Sequence, residues 1–331
     1  MTTYKEIQGT AVQSLTSSTG TEEGQIWYST PATNFKLQTF GAATWASAPN
    51  MPAVRQAAGQ TGTQTAMVLA GGSNGPSGAG TTMTYDGSSW SAPGNNLNTQ
   101  RKNSSMIGIQ SAAILAGTGA DTTPTSGTTA SESYNGSTWT TTGSINTARY
   151  GVFGGGTQAA GVIAGGAGPS TYFAETEEYN GVIWSSETSI PGAVGGGASG
   201  ATSQLDMMCV GGGPGNQTTN NYYNGTSWST KNGLSGDGRR NCSGVFPTSS
   251  SPGFIAAGET ASTNPIATTE TWDGTSFSSS TSVPTALRDP ATTGCGTGEA
   301  GLLSGGYDTG VSNKTYEFTG AGVVTTTITT S

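Results

Sequence analysis

The chain has 331 residues, 54 of them Gly, with only 9% charged side chains, a net charge of −8 and no His. So acidic a chain, poor in Lys and Arg, lacks the electrostatic footprint for nucleic acid or an anionic membrane. The absence of His removes Ser-His-Asp and Cys-His catalysis and imidazole metal ligands.

Aromatic residues recur at regular intervals, and no stretch of ten or more residues carries the helical apolar period. Both features predict a turn-rich all-β protein. The N-terminus, from Met1 to Ile7, has no basic-then-apolar export pattern. No apolar run approaches the roughly 18 residues needed to span a bilayer, so membrane insertion is not expected.

In chain order, residues 1–34 match nothing later and read as an N-terminal arm. Within it, Ile26-Trp27-Tyr28 and Phe35-Lys36-Leu37 flank a polar turn and predict a small hairpin. Ile26, Trp27 and Tyr28 are the candidate attachment residues, because apolar side chains on a short arm can dock onto a neighbouring subunit.

A repeat follows. Five hairpins share one pattern: Tyr85-Asp86-Gly87-Ser88-Ser89-Trp90, Tyr134 to Trp139, Tyr179 to Trp184, Tyr223 to Trp228, and Trp272-Asp273-Gly274-Thr275-Ser276-Phe277. Asn-Gly and Asp-Gly predict type I′ turns between paired strands. Ahead of each lies an apolar run ending in small residues, such as Met67-Val68-Leu69-Ala70-Gly71-Gly72 and Val162-Ile163-Ala164-Gly165-Gly166. Taken at positions 71, 117, 165, 211, 257 and 305, these runs step by 46, 48, 46, 46 and 48 residues. Earlier in each unit stands an Arg: Arg55, Arg101, Arg149, Arg239 or Arg240, and Arg288, with Val194 in the fourth. A Gly-x-Gln-x-Ala turn joins this segment to the apolar strand at Gly62–Ala66, Gly108–Ala112 and Gly156–Ala160.

Four antiparallel strands in about 47 residues make one propeller blade. The expected fold is therefore all-β, a six-bladed propeller over residues 35–331. Its blades fall near 46–94, 95–142, 143–188, 189–232, 233–281 and 282–331, with 35–45 helping closure. In the last blade, Tyr316-Glu317-Phe318 and Val323 to Ile328 read as successive strands. Because Phe40 to Trp45 looks like a seventh hairpin, a seven-bladed ring is the alternative.

Gly-Gly, then Tyr, then Trp about five residues later resembles the Kelch motif, and the resemblance covers about 280 of the 331 residues. WD40 fits less well, having a Gly-His pair that is missing here. In its Ser/Thr/Gly richness, its Asn-Gly-x-x-Trp hairpins and its stretch Gly24 to Tyr28, the chain is similar to Kelch-like proteins of marine bacteriophages, the cyanophage type. That resemblance implies a non-enzymatic virion structural protein on the particle surface, a tail appendage, fibre or decoration. The arm would grip other virion proteins, and the propeller would adhere to host-surface glycan. A homo-oligomer is compatible with it. The alternatives are an intracellular adaptor binding a protein partner and a glycan-active enzyme. A pocket holding two carboxylates would favour the enzyme.

No catalytic residue, metal ligand or cofactor is expected. The three cysteines, Cys209, Cys242 and Cys295, are far apart and read as small buried apolar residues. Gly296 to Gly301 matches a dinucleotide fingerprint without a following helix, and Asp308-Thr309-Gly310 lacks a second copy, so neither carries chemistry. The repeating Arg residues are expected to line the axle or tie neighbouring blades. Loops after the Gly-Gly strand vary most, and there Tyr172 and Phe173 are the candidate ligand-binding residues, aromatics able to stack on a sugar ring.

Overall fold

The computed structural model describes residues 14–15, 26–75, 78–119, 127–291 and 295–327. These form two compact units, one of residues 1–43 with 320–331, the other of residues 44–319. The larger unit is a six-bladed β-propeller made of six four-stranded antiparallel sheets. Blade 1 is typical, with an inner strand Gly59–Thr63, a second strand Ala66–Ala70, a third Thr82–Tyr85 and an outer Trp90–Ser91.

Blade 6 is closed by the chain's own beginning. Its inner three strands are Cys295–Gly296, Ala300–Ser304 and Thr315–Thr319, and its outer strand is Thr44–Ala48. Trp45 pairs with Phe318, their rings 5.0 Å apart. The apparent seventh hairpin is thus divided: Phe40 belongs to the smaller unit and Trp45 to blade 6. The strand Gly322–Thr327, expected to finish blade 6, pairs instead with Asn34–Gly41. The outer place in blade 6 is already taken by Thr44–Ala48, whose Trp supplies the aromatic that the C-terminal Val-Thr run lacks. The smaller unit is a four-stranded sheet in the order Ser14–Leu15, Ile26–Ser29, Asn34–Gly41 and Gly322–Thr327.

Within each blade the second strand is buried on both faces, because neighbouring blades cover it from either side. Val68, Leu69, Ile114, Leu115, Val162, Ile163, Leu302 and Leu303 are all fully buried. One cluster joins Val68 and Ala70 of blade 1 to Met106 and Leu115 of blade 2. Burying such a side chain is worth about 1.5–3 kcal/mol, so the apolar stacking of blades dominates cohesion. Cys209 and Cys242 lie in this core as free thiols, with Cys242 pushed up to about 12 by desolvation. The side chain of Cys295 lies outside the described residues.

The hairpins have a local cause that differs from the type I′ expectation. Positive φ falls only on the Gly, for example Gly87 at 90° and Gly136 at 90°, whereas a type I′ turn needs it at both central residues. The preceding Asp or Asn stays at negative φ and accepts hydrogen bonds instead. Asp86 Oδ1 takes the backbone N–H of Ser88 and Ser89 at 2.8 and 2.7 Å, and Asn224 Oδ1 takes those of Thr226 and Ser227 at 3.0 and 2.8 Å. Each turn then sets two aromatic rings against each other across the strands, Tyr and Trp at 5.2 Å in blade 1 and 4.8 Å in blade 2, and Trp272 and Phe277 at 4.9 Å in blade 5.

Three polar devices join blades. The Gln of each Gly-x-Gln-x-Ala turn donates to two carbonyls of the preceding blade: Gln110 to Met67 and Tyr85, Gln158 to Ala113 and Tyr134, Gln64 to Gly301 and Phe318. Each outer-strand Trp donates its indole N–H to the hydroxyl that opens the third strand of the blade before. The pairs are Trp139 with Thr82, Trp184 with Ser131, Trp228 with Thr176, Trp45 with Thr269 and Trp90 with Thr315.

The third device is a closed backbone ring around the axis. The N–H of Asn103 donates to Ala57 O, Gly151 to Asn103, Gly196 to Gly151, Asn241 to Gly196, Asp289 to Asn241 and Ala57 back to Asp289, at 2.6–2.8 Å. All six residues have left-handed φ, from 49° to 72°. Asn, Asp and Gly tolerate that conformation, whereas Ala57 occupies it at a cost of roughly 1–2 kcal/mol.

The Trp belt has one gap. Blade 5 carries Phe277, which has no N–H, and the residue it faces in blade 4 is Asn220 instead of Ser or Thr. Asn220 Nδ2 donates to Asn232 O, while its buried Oδ1 has no partner. Replacing both (Asn220→Thr with Phe277→Trp) restores the belt and removes the orphan acceptor. Urea denaturation is expected to show a gain of about 1–2 kcal/mol, exceeding the sum of the single variants by at least ~0.5 kcal/mol. Strict additivity would mean that the two positions are not linked.

Candidate functional site

The repeated Arg residues are the first candidates, and the structure buries them. Arg149, fully buried, donates to Glu177 at 2.9 Å, Arg239 donates to Glu270 at 2.8 Å, and Arg101 pairs with Glu132. Each carboxylate also holds the incoming connection from the previous blade: Glu132 accepts the N–H of Asn98 at 2.8 Å, Glu177 that of Asn146 at 2.6 Å, Glu270 that of Ser235 at 2.7 Å. These ion pairs staple the inter-blade connection to the third strand. Arg55 has no acid to meet; it bonds Thr81 and the carbonyl of Val54.

In blade 6 the repeat position is Leu287, not Arg288, and in blade 5 it is Arg239, not Arg240. Arg240 and Arg288 stand one residue on, at the axial mouth. The equivalent residues are Gln56, Lys102, Tyr150 and Gly195, so this position differs in most blades while its neighbours in the repeat are constrained. A ring of unlike side chains on a six-fold scaffold is where a particular ligand can be read.

The mouth opens into a cavity of 280 Å³ whose lining includes Asn103, Tyr150, Tyr172, Arg240, Asn241 and Asp289. Arg240 Nε donates to Glu259 Oε1 at 2.7 Å, and Asn241 Nδ2 donates to the same oxygen at 3.2 Å. Arg288 lies 3.8 Å from Glu259 and 3.9 Å from Asp289, its guanidinium stacked over Tyr307 at 4.8 Å. Tyr172 presents its hydroxyl to Arg240. Burial pushes the Asp289 carboxyl up to about 6 with Glu259 adding to the rise, against the lowering pull of Arg288 and Arg240. Its side chain is 25% exposed.

Of the two aromatics expected to bind, the structure places Tyr172 on this cavity, while Phe173 is not part of the lining and packs within its own loop against Gly168. Ile26, Trp27 and Tyr28 lie on the strand Ile26–Ser29 of the smaller unit, paired with Leu37, Lys36 and Phe35. Ile26 is exposed, and the side chains of Trp27 and Tyr28 lie outside the described residues. Asp308 forms a local turn, its carboxylate accepting from Lys314 at 2.8 Å and lowered to about 2 chiefly by that bond. Gly296 to Gly301 spans the hairpin between the inner two strands of blade 6. Sequence reading missed Arg240, Glu259, Asn241 and Asp289 as a group; the signal was their departure from the repeat.

The opposite end of the axle is chemically different. A cavity of 470 Å³ there is lined by Ile107, Ile109, Ala201, Phe246 and Pro247 among small residues. Among the described residues, no three His, Cys, Asp or Glu side chains gather where a metal ion would sit. No protein-family model matches the chain, and no curated protein is similar to it.

Because the folded Asp289 carboxyl titrates near 6, above the usual range near 3.9 for an unfolded chain, the folded state holds a proton that the unfolded state has lost between about pH 4 and about pH 6. Asp289 therefore costs stability at neutral pH, and acidification relieves that cost. Asp289→Asn keeps the left-handed residue and removes the charge. Thermal and urea unfolding are expected to show a gain of about 1–2 kcal/mol at neutral pH, shrinking to nothing below about pH 4. A gain independent of pH would assign the effect to something other than this carboxyl.

Proposed function

We propose that the protein is a non-enzymatic adhesion module on a virion surface, its arm attaching it to other virion proteins and its propeller contacting host-surface glycan. The observation that carries this reading is the asymmetric loop-face mouth. Tyr150, Tyr172, Arg240 and Arg288 stand there at positions where a structural repeat has no need of them. Such a mixture of aromatic surface and paired charges suits a hydroxyl-rich ligand. The Gly-Gly, Tyr and Trp spacing is of Kelch type, and the similarity to Kelch-like phage proteins supports the placement on a particle.

A second reading, a glycan-active enzyme, is favoured by one observation: Glu259 and Asp289 both stand beside the cavity, bridged by Arg288. A sugar hydrolase needs one carboxyl protonated near neutrality and a second as carboxylate. Release of nitrophenol from nitrophenyl glycosides, lost in Asp289→Asn, would replace the adhesion reading with this one.

The adhesion reading is tested by immunogold labelling of intact particles from the source culture, using antibody to the propeller. Label on the particle exterior is expected, with a chain lacking residues 1–34 folding but failing to rebind stripped particles. Label confined to the cell interior would support the intracellular adaptor instead.

A further inference from the structure

Resting on the adhesion reading, we propose that the axial cavity on the loop face is a subsite for one neutral pyranose ring, held against Tyr172 and read through Asp289, Asn103 and Asn241. Four properties of the cavity select that ligand class.

The first is charge. Arg240 and Arg288 are matched by Glu259 and Asp289, so an anion meets two carboxylates and a cation meets two guanidinium groups. A neutral ligand meets neither penalty.

The second is unused hydrogen-bonding capacity. The Asp289 carboxylate makes no hydrogen bond among the described residues, its nearest ion-pair contact being Arg288 Nε at 3.9 Å. Among the described residues, Glu259 Oε2 has only Arg288 at 3.8 Å, and the Asn103 side-chain amide meets no hydrogen-bond partner. Carboxylates accept from ligand hydroxyls, while the amides both donate and accept, which is what a polyol requires.

The third is the floor. The six ring N–H groups of Ala57, Asn103, Gly151, Gly196, Asn241 and Asp289 are consumed by one another. Backbone recognition of a peptide or phosphate is therefore not on offer at the axis, and side chains must do the reading. The fourth is size: 280 Å³ lies at the lower edge of the roughly 300–1,000 Å³ range of small-molecule pockets, enough for one ring but not a chain.

Asp289 faces Arg288, Arg240 and Glu259, with Tyr150, Tyr172 and Cys242 around the same cavity. Its carboxyl, held up to about 6 by burial, loses its charge on mild acidification, and a charge-assisted acceptor goes with it. Capture should therefore weaken as pH falls.

Saturation-transfer NMR on the full chain tests this with glucose, galactose, mannose and N-acetylglucosamine, using N-acetylneuraminic acid and spermidine as charged controls. At least one neutral sugar is expected to bind, weakened about ten-fold by Tyr172→Ala and by a shift from about pH 7.5 to about pH 5. Asp289→Asn should bind weakly with no pH dependence. Binding by a charged control alone, no neutral sugar binding, or binding indifferent to both substitutions overturns the proposal. Adsorption of the same variants to host cells separates the two readings: adsorption that survives both substitutions leaves adhesion standing and sinks the axial subsite.

Discussion

Six backbone hydrogen bonds that run from blade to blade around the axis, and return to their origin, set the geometry on which everything else rests. Each needs a residue with left-handed φ, because only then does the chain entering a blade turn its N–H toward one neighbour while its carbonyl faces the other. The ring closes on itself with one bond from each of the six blades, at 2.6–2.8 Å. The apolar second strands provide cohesion without direction, and the ring supplies the direction that close packing lacks.

Around that ring the remaining polar devices act at increasing radius. The Arg–Glu pairs lie where a connection enters its blade, the Gln side chains cross from a turn to two strand carbonyls of the preceding blade, and the Trp indoles form an outer belt. Buried ion pairs such as Arg149–Glu177 are weak evidence for net stability, since desolvation offsets much of the attraction. Their use here is positional: Glu177 gathers Asn146, Thr147 and Arg149 onto one carboxylate and so fixes where the next inner strand begins. Gly151, two residues ahead of that strand, is then placed to join the axial ring.

Much of this was legible in the sequence. The hairpins, the buried Gly-Gly strands and the Gln turns were visible because each device needs a fixed residue type at a fixed spacing. The axial ring was not, because its requirement is a backbone angle satisfied by Ala57, Asn103, Gly151, Gly196, Asn241 and Asp289 alike, and no one residue type fills all six places. The destination of the strand Gly322–Thr327 was hidden for another reason. Its pairing with Asn34–Gly41 joins residues nearly a whole chain apart, and a Val-Thr run fits any sheet edge. The role of the Arg residues was half visible: their spacing marked them as structural, but the one-residue offset that frees Arg240 and Arg288 appears only when Arg239 and Leu287 are seen buried.

That offset gives a near-symmetric scaffold an asymmetric axial mouth. Where all six blades share a residue, six copies of one interaction surround the axis and none distinguishes one direction across it from another. A small asymmetric ligand needs directions that differ. At the mouth the blades supply Tyr150, Gly195, Arg240 and Arg288 in turn, with Tyr172 leaning in from a loop, so the surroundings differ from one direction to the next. These residues lie on the shoulders of the ring that holds the propeller closed. Their side chains can vary without disturbing its hydrogen bonds, because the ring uses only main-chain atoms. Asp289 belongs to both systems: its N–H and carbonyl complete the circle, while its carboxylate, desolvated and without a hydrogen-bond partner among the described residues, faces the cavity. The neutral-pH instability assigned to that carboxylate is then the expected consequence of desolvating a charged acceptor beside the ring that closes the propeller.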